Sequence, residues 1–172
     1  MAEIESLNVF IRQFTPAKLF HKDDLMRLGR EIYLVPSALR LVSQKARRRP
    51  DFAGTLIAME SSRGPKPSIQ LLDMIAGTDA KRVVVNAGSE WLCICGRPPL
   101  LTSVVEKTGN PQRGDTVLIT NAHREVIGYG TVHDEWSRKK GIISLHYDIG
   151  DFLRRERASH SSNRRQPSLR RA

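Results

Sequence analysis

The sequence predicts an α+β protein: a small α/β unit over residues 1–79, a strand-rich unit over 80–156 and a basic tail over 157–172. Three observations lead there. Near the amino terminus apolar residues recur at three- and four-residue spacing, as on one face of a helix. From Arg82 onward, β-branched runs separated by turn-forming residues dominate. From Arg157 to the end there is no acid and only Leu169 is bulky and apolar, so this segment has too little surface to bury to offset its ordering entropy. A chain of 172 residues holds one domain or two small ones.

The elements follow in order. Ile4, Leu7, Ile11 and Phe14 mark the inner stripe of a helix over residues 2–13, which Pro16 stops. DLMRLGREIYLV gives a hairpin over residues 25–35 turning at Gly29-Arg30. Leu39, Val42 and Ala46 fit a helix that starts at Pro36 and ends before Pro50. AGTLIAME (53–60) is a strand, RGPKP (63–67) a loop, 68–72 a further strand and 73–76 a helical turn, after which Gly77-Thr78-Asp79 punctuates the chain. In the second unit strands are expected at 82–85, 92–95, 116–120, 126–133 and 142–146, with a turn at 121–124. Gly128 and Gly130 clear one face of a strand, for a close backbone approach or a tight bend. A final helix starts at Asp148, whose carboxylate caps it, and ends in Arg154 and Arg155, with Ile149, Phe152 and Leu153 seating it.

Charge bounds the partner. Lys and Arg number 28 against 18 Asp and Glu, a net charge of +10, of which the tail from Arg157 carries +5. A surface of that sign attracts polyanions, since each neutralised phosphate releases condensed counterions. A solubilising role and non-specific nucleic-acid contact both fit the tail. Cys93 and Cys95 make no disulfide framework and at most half a zinc site. On an extended strand they share a face with Trp91 and act as small buried apolar residues. With no apolar run of about 18 residues and no signal-peptide pattern, a soluble intracellular protein without membrane contact is expected.

The order VVVNAGSEWLCICG (83–96), RGDTVLI (113–119), EVIGYGTV (125–132), DIGDFLRRE (148–156) resembles the PUA domain, the RNA-binding module named after pseudouridine synthase and archaeosine transglycosylase. Upstream, a hairpin ending Ile32-Tyr33-Leu34-Val35, a helix, a strand beginning Ala53-Gly54-Thr55 and Leu72-Asp73 are similar to the pre-PUA domain of the Nip-seven family of ribosome-biogenesis proteins. The resemblance covers residues 6–156 and is closest to the archaeal type. It implies a pre-PUA domain followed by a PUA pseudo-β-barrel, and a non-catalytic role in large-subunit rRNA maturation. The sequence carries no cofactor or metal motif, so none is expected, and nothing in it argues against a monomer. Its partners would be RNA in pre-ribosomal particles, other assembly factors and the exosome. The compartment would be the cytoplasm of an archaeon or the nucleolus of a eukaryote.

The first candidate contacts are Arg138, Lys139 and Lys140, three adjacent cations between two strands and able to reach separate phosphates; a solvated charged loop is the plainer role. Arg82, Arg97, Arg154 and Arg155 come second, with surface charge or ion pairs to Glu90, Asp151 or Glu156 as the alternative. Trp136 fits either a base-stacking platform or a partly buried barrel position. Aromatic residues are only 6% of the chain, so recognition should rest on phosphates and RNA shape more than on base edges.

An enzyme is the rival class, since PUA domains accompany RNA-modifying enzymes, either in one chain or as an accessory subunit. Yet only about 80 residues precede the module, against about 250 for a barrel enzyme. No nucleophile elbow, Gly-rich phosphate loop or metal-ligand spacing occurs. His133 and His146 can meet across neighbouring strands, without a carboxylate or Cys partner. Asp24, Asp73 and Asp115 fit local amide caps at strand or turn edges. A third class is a protein adaptor that binds partners through the pre-PUA unit.

Overall fold

The computed structural model describes residues 2–46, 48, 50–133, 136, 143–151 and 154. Its elements are α1 (Ala2–Arg12), β1 (Leu25–Leu28), β2 (Glu31–Leu34), α2 (Ser37–Lys45), β3 (Thr55–Ser61), β4 (Gly64–Pro67) and α3 (Ile69–Ala76), followed by β5 (Arg82–Val85), α4 (Ala87–Ile94), β6 (Val104–Thr108), β7 (Thr116–Thr120), β8 (Val126–Val132) and β9 (Ile143–Asp148). The fold is mixed α+β, as the sequence predicts. One sheet has the order β1-β2-β3-β4, entirely antiparallel; the other has the order β6-β5-β7-β8-β9, in which β5 and β7 run parallel.

The central strands of the second sheet, β5, β7 and β8, are apolar on both faces. Along β7 the pleat sends Leu118 into one core with Leu7, Phe10 and Phe14 of the α1 segment and Leu71, Leu72 and Ile75 of α3. Val117 and Ile119 point the opposite way, into a second core with Val83, Val85, Cys93, Ile127, Val132 and Ile143. The first core therefore spans both halves of the chain. Phe10, Phe14 and Tyr129 seal it with edge-to-face contacts at centroid separations of 5.2, 5.5 and 5.4 Å.

Several elements differ from expectation, each for a local reason. The 92–95 strand is instead the end of α4. Asn86 accepts the Ser89 amide at 3.0 Å as N-cap, Ser89 and Cys93 turn inward one helical turn apart, and Gly96 at φ +80° closes the end. The 68–72 strand is the first part of α3: the Ser68 hydroxyl accepts the Leu71 amide, and Asp73 lies inside the helix rather than at an edge. RGPKP is not a loop, because its Gly64–Pro67 portion forms β4 at a sheet edge, where a missing proline N–H is tolerated. Strand β6 was not foreseen.

At the carboxyl end Asp148 terminates β9 and accepts the Gly150 amide at 2.9 Å, with Asp151 the first described helical residue. Ile149 is exposed instead of seated, while Phe152 and Leu153 lie outside the described residues. Helix α2 occurs where expected, but Leu39, Leu41 and Val42 all face outward. Gly128 and Gly130 serve a close backbone approach: a Cβ on either would stand 2.3 Å from a carbonyl oxygen of β9.

Because α4 is helical, the two cysteines part company. Cys93 is buried, and burial pushes its thiol up to about 11, whereas Cys95 is exposed. Titration of the native protein with an aromatic disulfide at mildly alkaline pH should therefore modify one thiol quickly and the second only on unfolding. Two rapid equivalents would contradict this arrangement.

Candidate nucleic-acid interface

Arg138, Lys139, Lys140 and Arg155 lie outside the described residues. Trp136 packs against the second core, and its Nε1 donates to the Pro111 carbonyl at 2.7 Å. The Lys107 ammonium stands 4.5 Å from the ring centroid, so a cation already occupies one face of the indole.

Arg82 donates through Nη2 to the Ala76 and Thr78 carbonyls, at 2.9 Å each. It thereby neutralises the negative end of α3. Arg154 is engaged further. Its Nη1 donates to the Ile94 carbonyl at 2.6 Å and to Asp148 Oδ1 at 2.9 Å, while Nη2 donates to Asp148 Oδ2 at 2.7 Å. This two-pronged hold, with Asp151 4.0 Å away, pushes the guanidinium pKa up through the Asp148 hydrogen bonds and charge. Arg97 alone among these arginines is exposed with no side-chain bond among the described residues.

Other ionisable groups are likewise tied to scaffold partners. Asp115 accepts Lys81 Nζ and the Gln112 amide, both at 2.6 Å, and the lysine hydrogen bond holds its carboxyl below the usual range. Asp24 accepts the His21 amide at 2.7 Å. His133 and His146 each bond a hydroxyl across the β8–β9 pair, Ser144 at 3.4 Å and Thr131 at 2.8 Å respectively. Among the described residues no three His, Cys, Asp or Glu side chains gather as metal ligands, and no helix is long and apolar enough to cross a membrane.

Trp91 is the residue that sequence reasoning missed. Placed on α4, it is 65% exposed, and the exposed Cys95 follows one helical turn later on the same side. An exposed indole can stack on a base, worth about 1–3 kcal/mol. The Asn86 cap was the signal that would have turned this face outward.

Residues 81–157 match a family model described as the UPF0113 PUA domain. The whole fold is similar to a PUA-domain structure from Aeropyrum pernix K1, at 19% identity and TM-score 0.60, covering 88% of this chain and 84% of that one. It is also similar to a conserved PUA-domain protein from Thermoplasma acidophilum, at 11% identity and TM-score 0.55, covering 91% and 96%. A shorter likeness, at 16% identity and TM-score 0.38, falls on the structure of the archaeal box H/ACA sRNP Nop10–Cbf5 complex. It covers 42% of this chain, which spans only 25% of that one. No curated protein matches. Residues 81–157 thus form a PUA domain, carried behind an α/β unit.

Proposed function

We propose that the protein is a non-catalytic RNA-binding factor of ribosome biogenesis, related to the Nip-seven family and acting on large-subunit rRNA. The carrying observation is a PUA domain in a chain of net charge +10, which combines an RNA-binding module with the sign that phosphates require. Arg97 and the outward Trp91 of α4 supply a cation and a stacking surface on that domain. Arg138, Lys139 and Lys140 supply the main phosphate contacts, and Arg155 adds a further cation near the carboxyl end. Arg82 and Arg154 shape the scaffold. The non-catalytic reading is supported by the partners of Asp115 and Arg154, whose perturbed ionisation follows from structural ion pairs.

Replacing Arg138, Lys139 and Lys140 together by alanine should weaken RNA binding alike for all sequences, and lower the salt slope by about one per lost phosphate contact. Fluorescence anisotropy across a salt series measures both. Unchanged affinity and slope would remove the loop from the interface. Crosslinking in source cells then separates the finer readings: recovered large-subunit rRNA supports the biogenesis role, and recovered tRNA favours an accessory subunit of a modifying enzyme.

A second reading, a protein adaptor, is favoured by one observation. Leu41 and Val42 of α2 and the nearby-in-sequence Phe52 are all more than half exposed, an apolar display of the kind that partner surfaces carry. The two roles are compatible, since α2 belongs to the unit preceding the PUA domain.

A further inference from the structure

Strand β4 ends the first sheet and β9 ends the second. Between them lies a cleft of about 640 Å³ whose lining includes Arg63, Lys66, Cys95, His146 and Arg154. A second cleft of about 430 Å³ shares Arg63, Tyr129 and His146 with the first and reaches Gln13, just beyond α1. The pair forms one seam between the α/β unit and the PUA domain, in the size range of about 300–1,000 Å³ that accepts small organic ligands.

The charges along the seam are unequal. Its carboxylates, Asp148 and Asp151, are turned to Arg154. Cations elsewhere are held as well: Arg27 by Glu60, Lys81 by Asp115, Arg124 by Glu106. Arg63 and Lys66 are exposed on the β4 side, with no side-chain bond among the described residues. His146 commits Nε2 to Thr131, at 2.8 Å, which leaves Nδ1 for another group. A peptide strand would add poorly here, because Pro65 and Pro67 remove two amides from β4. A phosphodiester chain needs no such amides; it needs cations and polar edges. At its far end the seam opens at Cys95 and Gly96, beside the turn that carries Arg97 and on the helical side that displays Trp91.

We propose that this seam holds a segment of single-stranded RNA running from the α4 face of the PUA domain onto β4, with Arg63 and Lys66 on its phosphates and His146 on a sugar or base edge. This rests on the RNA-binding reading above and extends the interface to the amino-terminal unit. The site is contributed by both halves of the chain, so neither alone completes it.

The test uses the full chain and a fluorescein-labelled oligouridylate, titrated over a salt series. Replacing Arg63 and Lys66 by alanine should weaken binding about tenfold and lower the salt slope by about 1.4, at about 0.7 per phosphate of a single strand. Exchanging both for glutamate should weaken it further, with the unfolding midpoint unchanged because both side chains are exposed. If both variants bind as the wild type does while the Arg138, Lys139, Lys140 variant binds weakly, the seam is not on the RNA path and the PUA reading stands. Absence of wild-type binding to any single-stranded or hairpin RNA would overturn both.

Discussion

Replacing Arg154 by alanine should destabilise the protein by about 3 kcal/mol. The Asp148 carboxylate is 5% exposed, and its charge is answered by the two terminal guanidinium nitrogens of Arg154 and by the Gly150 amide. Without the arginine, one amide remains for a buried anion. A fully buried pair broken in this way costs about 3–5 kcal/mol. The lower end applies because Arg154 is 39% exposed and water can enter its place. The same side chain ties β9 to the end of α4 through the Ile94 carbonyl, so the loss extends to helix docking. Lysine at position 154 should recover only part, being a single-point donor. Combining Arg154→Ala with Asp148→Asn should cost less than the two separate losses added together, since the amide leaves no charge behind. Urea unfolding at constant slope reads all three. A loss under about 0.5 kcal/mol for Arg154→Ala would show that the clamp contributes little.

Gly128→Ala should be at least as damaging, lowering stability by about 3 kcal/mol or more. The new Cβ would sit 2.3 Å from the Tyr147 carbonyl oxygen and 3.2 Å from the Asp148 Cα. Both are backbone atoms of the paired strand, so no side-chain rotation relieves the clash. The strands must separate, which breaks the β8–β9 ladder and shifts Asp148. Gly88→Ala is the informative contrast. It lies in α4, its nearest neighbour would be Asn86 Oδ1 at 3.6 Å, and alanine is the better helix former by about 1 kcal/mol. Thermal melts should place the two variants on opposite sides of the wild type or, at minimum, leave Gly88→Ala unharmed. A Gly128→Ala protein as stable as the wild type would refute the close approach.

The strands β5, β7 and β8 were legible because their β-branched runs are buried on both faces of the second sheet, a pattern few other contexts produce. Helix α1 was legible from its stripe. What misled were short apolar runs, in which helix and strand share one composition. SEWLCI has the β-branched and aromatic content of a strand, yet Asn86 supplies a cap and the burial of Ser89 and Cys93 has helical spacing. The same competition decided α3, where the Ser68 cap outweighs strand propensity. In β4 the prolines hid a strand that only an edge position permits. The candidate site divides similarly. Arginines can be found in a sequence, but whether a guanidinium is free or fastened depends on distant carbonyls and carboxylates. Hence Arg82 and Arg154 turned out to be held by the scaffold, while Arg63, just before β4, and Lys66, on it, proved to stand open.

The core joining α1 and α3 to β7 and β8 lies close to the seam, with Tyr129 common to both. Two modules linked by a thin polar contact would swing about a hinge, and a ligand would have to arrest that swing when it bound. Here the shared apolar filling welds them, so the trough keeps a fixed width. Rigidity already secured during folding is affinity that a guest need not supply.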